Sequence, residues 1–106
     1  MAGIHYSTAA STGGAATVTM PATEGVSYGV QVIALSYIGF GTAVGRLTVT
    51  ASNATVVDLD VPTGNIEYFV HDYGIENVGD GMEVKLQCGA QNHTAKLSII
   101  WQSSGD

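Results

Sequence analysis

Two alternating runs separated by two residues constrain this chain more than anything else in it. Gly45–Ala51 reads Gly-Arg-Leu-Thr-Val-Thr-Ala, and Ala54–Val61 reads Ala-Thr-Val-Val-Asp-Leu-Asp-Val, with Ser52-Asn53 between them. Leu47, Val49 and Ala51 alternate with Arg46, Thr48 and Thr50. Val57, Leu59 and Val61 alternate with Val56, Asp58 and Asp60. Successive side chains of a strand point to opposite faces, so each run has an apolar and a polar face. Asn tolerates positive φ, which suits a tight turn at Ser52-Asn53. The stretch is predicted to be a β-hairpin with one wet face.

The rest of the chain carries the same signals. Residues 16–21 form a short predicted strand that ends at Pro21. Residues 27–37 place Tyr28, Val30, Val32 and Ala34 on one face and Gln31, Ile33, Leu35 and Tyr37 on the other. Both faces are largely apolar, so this strand is expected to be buried on both sides, centrally or against a second subunit. Residues 38–44 read as a flexible connection carrying Gly39, Phe40 and Gly41, and Pro62-Thr63-Gly64-Asn65 as a turn. Further strands are expected at 66–71, 82–88 and 93–102, with a Gly- and Asp-rich loop at 72–81 and a polar tail at 103–106. At the start, Ile4 and Tyr6 alternate with Gly3 and His5, but Ser7–Gly14 has little to bury. Residues 1–16 therefore read as a flexible N-terminal arm ordered by a neighbour, and residues 17–106 as the folded domain. Seven to eight short strands with turn signals about every ten residues give an all-β, single-domain antiparallel β-sandwich.

Composition narrows the function classes. Charged residues are 11% of the 106, against a usual ~25%, and the formal charge is −6. Arg46, Lys85 and Lys96 are the basic side chains, too few for a phosphate-binding surface, so neither nucleic acid nor an anionic membrane is an expected partner. Cys88 is the sole cysteine, which excludes an intrachain disulfide and fits assembly in a reducing cytosol. Residues 1–16 lack the cationic start and apolar segment of a signal peptide.

No residue pattern points to catalysis. His5, His71 and His93 have no Gly-x-Ser-x-Gly elbow or acid–base pair beside them, so the chain reads as a non-enzyme. His71-Asp72 with Glu76, Asn77 and Asp80 lacks the spacing of a calcium loop and reads as a solvated acidic turn; no metal or cofactor is expected. Asp58 and Asp60 point the same way from one strand. They suit a cation, a sugar hydroxyl, or an exposed face that discourages edge aggregation. The sequons at Asn53 and Asn92 are expected from chance in a Thr-rich chain. Among the aromatic residues, Tyr68 and Trp101 fall on predicted core faces. Tyr73, Phe40 and Phe69 remain, and an interface suits them better than a sugar-stacking platform.

One resemblance covers most of the chain. The run Tyr28–Tyr37, the connection through Gly39, Gly41 and Gly45, Leu47-Thr48-Val49-Thr50 and Thr55–Val61 carry it. It continues through the Pro-Thr-Gly turn, a strand, a Gly-rich loop, Met82–Leu86 and Lys96-Leu97-Ser98-Ile99. In hydropathy and turns this order resembles small phage virion proteins of the capsid decoration, or cement, type. The acidic stretch 72–80 has no place in that pattern. The resemblance implies a jelly-roll-like sandwich. It also implies a homotrimer on the outer capsid surface of the virion, assembled in the bacterial host cytoplasm and bound to the major capsid protein. Expected partner contacts are Ile4, Tyr6, Tyr28, Val30, Val32, Phe40, Phe69 and Tyr73. The alternative is a carbohydrate-binding or adhesin module of a phage tail or head fibre, with Asp58, Asp60, Tyr73 and nearby Asn residues as its surface.

Overall fold

The computed structural model describes residues 3–51, 54–70 and 79–105, with the side chains of 65–70 left out. Among the described residues there are eight strands: β1 (Gly3–Thr12), β2 (Ala15–Met20), β3 (Val26–Gly39), β4 (Gly45–Ala51), β5 (Ala54–Val61), β6 (Asn65–Val70), β7 (Met82–Gln87) and β8 (His93–Gly105). They form two four-stranded sheets, β1-β8-β3-β6 and β2-β7-β4-β5, and every neighbouring pair is antiparallel. The chain passes repeatedly from one sheet to the other in the jelly-roll manner, which buries one face of each sheet against the other. The fold is thus the antiparallel, jelly-roll-like β-sandwich expected from the sequence.

The hairpin forms, with β4 following its alternation and β5, an edge strand, doing so only in part: Val61 is buried, Val57 half-buried and Leu59 43% exposed. Leu47, Val49 and Ala51 on β4 are buried, and Gly45 pairs with Val61 at its base. A register shift between Val49 and Thr50 leaves Val56 unmatched and exposed. These residues share one core with Ile33, Leu35, Leu97 and Ile99 of the other sheet, all at most 3% exposed. Each such side chain contributes roughly 1.5–3 kcal/mol by leaving water. The Ser52-Asn53 turn and the acidic stretch 71–78 lie outside the described residues.

Residues 3–12 are not a loose arm. They form the ten-residue strand β1, paired along its length with β8, from Gly3 opposite Ser103 to Thr12 opposite Thr94. Side chains hold it there. The His5 ring stacks on Trp101 with centroids 4.1 Å apart, and His5 Nε2 lies 3.1 Å from Ser103 Oγ. Trp101 Nε1 donates to Ser7 Oγ at 2.9 Å. Low complexity misleads here because, beyond His5, the half-buried face of β1 is made of small residues, Ser7, Ala9 and Ser11.

Strand β3 departs from simple alternation. A bulge between Val30 and Val32 inserts Gln31 into the register. One extra residue reverses the parity of everything after it. Val26, Tyr28 and Val30 therefore face inward before the bulge, and Ile33, Leu35 and Tyr37 after it. Tyr28 and Val30 do not share a face with Val32 and Ala34, as simple alternation predicts.

One end of the sandwich is closed by a buried polar network. His93 is 0% exposed and stacks on Tyr37, with centroids 5.0 Å apart. Tyr37 Oη donates to Ala43 O at 2.9 Å and accepts from Gly89 N at 2.8 Å. Thr63 Oγ1 lies 2.9 Å from His93 Nε2 and 3.0 Å from Ala43 O. Asn92 Nδ2 donates to Phe40 O, and Asn92 Oδ1 lies 2.8 Å from His93 Nδ1. Gly39, Gly45 and Gly89 let backbone approach these rings. A Cβ on Gly39 would lie 2.5 Å from His93 Cγ, and one on Gly45 2.9 Å from Tyr37 Cζ. Gly39 and Gly45 therefore serve packing, where the sequence suggests a flexible connection.

Candidate functional site

The outer face of the first sheet carries a continuous row of partly exposed apolar side chains. Registers place Tyr6 opposite Ile100 and Ile100 opposite Val32, a row of apolar side chains crossing β1, β8 and β3. The next row is Thr8, Ser98 and Ala34. Neighbouring side chains in such rows stand roughly 5 Å apart and touch. Ile4 and Tyr6 are 73% and 68% exposed, whereas Ile100, Val32 and Ala34 are half-buried by their neighbours. Along β1, β3 and β8 the sole Asp, Glu, Lys or Arg is Lys96. In a chain of charge −6 these three strands are nearly uncharged, while β6, the fourth strand of the sheet, carries Glu67.

The outer face of the second sheet is the opposite in character. Thr17, Lys85, Thr48 and Asp58 lie abreast, and Thr19, Glu83 and Thr50 form the next row. Arg46, Thr48, Thr50, Thr55, Lys85 and Gln87 line a shallow groove of about 320 Å³. Arg46 donates from Nε to Asp58 Oδ1 at 2.7 Å and from a terminal nitrogen to Oδ2. That fork occupies both carboxylate oxygens, so Asp58 and Asp60 do not act as a free pair for a cation. The hydrogen bonds and charge of Arg46 hold the Asp58 carboxyl below the usual carboxylate range, and Asp58 raises Arg46. The folded-state pKa of Asp58 is depressed, so this pair stabilises the fold above the unfolded carboxylate range and is lost as pH falls through the folded midpoint. Carbonyl-detected NMR titration should show Asp58 titrating below ordinary aspartates, moving up in Arg46→Gln.

Two features lie at opposite ends of the sandwich. At one, an apolar recess of about 350 Å³ opens between His5, Val26, Tyr28 and Trp101. The Tyr28 ring meets Trp101 edge-on at 5.7 Å, and its hydroxyl donates to Pro21 O at 2.8 Å. At the other, Phe40 is 85% exposed beside Ile38 at 51% and Val44 at 49%. Its carbonyl is tied down by Asn92, so the ring is presented from an anchored loop.

The expected contact residues thus separate. Ile4, Tyr6 and Val32 come together on the outer face of the first sheet, and Phe40 stands apart at one end. Tyr28 and Val30 are 7% and 0% exposed inside the sandwich, which corrects their assignment as partner contacts. The bulge at Gln31 is the cause. Phe69 falls on β6, where only the backbone is described, opposite Ile33; Tyr73 lies outside the described residues. Sequence reasoning does not single out Ile100. Its position opposite Tyr6 and Val32 comes from strand pairing, which alternation within one strand does not encode.

No family model matches this sequence, and no curated protein matches it. Solved structures are similar to it. The nucleoplasmin-like N-terminal domain of Drosophila FKBP39 is similar over 100% of this chain and 91% of that one, at 14% identity and a TM-score of 0.51. A family 35 carbohydrate binding module from an environmental isolate is similar over 90% of this chain and 72% of that one, at 17% identity and a TM-score of 0.46. A CBM4 structure covers 92% and 82%, at 12% identity and a TM-score of 0.48. At these identities the likeness is one of fold.

Proposed function

We propose that this chain is a structural binding subunit of a phage virion. It decorates the outside of the head and docks on the major capsid protein through the outer face of its first sheet. The observation that supports this reading is the Tyr6, Ile100 and Val32 row across β1, β8 and β3, three strands that together carry one formal charge. Soluble proteins seldom leave such a face open unless it meets a partner. Function here is binding without chemistry. Each contact is weak, and many copies on one shell hold neighbouring capsomers together by acting at once. Purified protein should cosediment with undecorated heads and raise their thermal stability. A chain that stays in the supernatant at saturating concentration contradicts the proposal.

A second reading, a carbohydrate-binding or adhesin module, is favoured by the groove on the other sheet. Its threonines, Gln87 and Lys85 offer hydrogen-bonding groups suited to sugar hydroxyls. The described residues lining it include no aromatic ring on which a sugar would stack. On a glycan array, selective binding abolished by Thr48→Glu supports this reading, and silence across the array removes it.

A further inference from the structure

We propose that two copies of this chain associate through their β1 strands, edge to edge and antiparallel, to make one continuous eight-stranded sheet. The inference rests on the edge itself and not on the virion reading. Sheet edges invite pairing with other chains, and proteins guard them with charges, prolines, bulges or shortness. The two sheets have four edge strands, and β6 is short, six residues, and includes Glu67. β5 carries Asp58 and Asp60 and a bulge at Val56. β2 has six residues and runs into Pro21. β1 has ten residues, no proline, no Asp, Glu, Lys or Arg, and no register shift against β8. Among the described strands it pairs with β8 alone. Trp101, Ser103 and their partners on its inner side tie it to β8. It is a long template with no bulge and no Asp, Glu, Lys or Arg.

The occupant that fits is a second copy. Two chains of charge −6 repel, and β1 is an edge where they meet without bringing carboxylates together. The strand is also self-complementary about a two-fold axis through Ser7. In that register Tyr6 lies opposite Thr8 of the second copy and Ile4 opposite its Ala10, each large side chain facing a smaller one. The same patch serves both subunits, as a closed two-fold contact requires. Such an edge is about 34 Å long and 10 Å deep, so it covers roughly 350 Å² per copy before Ile4 and Tyr6 fold over the seam. That is small for a specific interface, so the dimer forms at micromolar or higher concentrations. Its sheet would double the apolar face presented by one copy.

The test is sedimentation equilibrium on the intact chain. Wild type should move from 10.9 kDa toward twice that mass as concentration rises from about 1 µM to about 1 mM. The variant Tyr6→Glu/Thr8→Glu should stay monomeric, because the register sets carboxylates directly opposite each other. Tyr6→Lys/Thr8→Lys should do likewise, and an equimolar mixture of the two should recover a heterodimer. Circular dichroism and melting curves of each variant confirm that the fold survives, since both positions are exposed. A wild-type chain that remains at 10.9 kDa throughout overturns the proposal. So does a folded glutamate variant that dimerises like wild type, or a mixture that forms no heterodimer.

Discussion

Gly89→Ala should lower the melting temperature by roughly 20 °C, the largest effect expected from a methyl group added to any glycine among the described residues. A Cβ at Gly89 would fall on the Val44 carbonyl oxygen, with the Val44 and Ala43 carbonyl carbons 3.0 and 3.1 Å away. All three atoms are backbone, so no side-chain rotation relieves the clash. The loop cannot retreat cheaply. Ala43 O accepts hydrogen bonds from Tyr37 and Thr63, and Gly89 N donates to Tyr37 Oη. Overpacking costs about 1–3 kcal/mol, and each buried hydrogen bond broken adds about 1–3 kcal/mol, so a total near 4 kcal/mol is expected. Gly41→Ala is the control. Gly41 has φ +93°, and a methyl group there would meet nothing within 4 Å. It should lose only about 1 kcal/mol, from backbone conformation alone. Equal melting temperatures for the two variants would show that the loop yields freely.

His93→Ala should destabilise the fold by about 3–4 kcal/mol, and His93→Leu by about half as much. The ring is fully buried and stacked on Tyr37, so alanine leaves a cavity in a closed end of the sandwich. Leucine refills most of that volume. It also leaves few polar atoms stranded. Thr63 keeps Ala43 O as an acceptor, and Asn92 is exposed and reaches water. The difference between the two variants therefore measures packing, and what leucine still loses measures the hydrogen bonds. Urea denaturation of the three proteins separates the terms. A leucine variant as unstable as the alanine variant would assign the whole effect to polar contacts.

How much of the fold is legible in the sequence depends on whether a residue's position follows from local alternation. The β4–β5 hairpin is legible, because Leu47, Val49 and Ala51 alternate without interruption. So are β7 and the inner set of β8, Ala95, Leu97 and Ile99. β1 is not, because Ser7, Ala9 and Ser11 are small on a face that has little depth to fill. Its partner, β8, lies some ninety residues away. β3 is recognisable as a strand, but the bulge at Gln31 moves Tyr28 and Val30 to the interior. β8 continues past Gln102 to Gly105 because β3 begins at Val26 and offers it a ladder there. His93, the first residue of the strand expected at 93–102, is buried because Thr63, Asn92 and Tyr37 converge on it.

The candidate face shows the same division. Ile4, Tyr6 and Val32 are individually recognisable as apolar residues suited to a partner. Their assembly into one face with Ile100 depends on the order β1-β8-β3, which alternation within single strands does not specify. The aspartates of β5 are legible as an exposed pair, but the fork from Arg46 that occupies Asp58 depends on the hairpin register.

The most direct test compares one substitution on each outer face in the head-binding assay. Ile100→Glu places a carboxylate in the centre of the apolar row, and Thr48→Glu places one in the polar groove. If the first sheet docks on the capsid, Ile100→Glu should lose head binding by at least about 100-fold while Thr48→Glu binds like wild type, both remaining folded by circular dichroism. Full binding by Ile100→Glu, or loss only in Thr48→Glu, would contradict the assignment of the first sheet as the working surface.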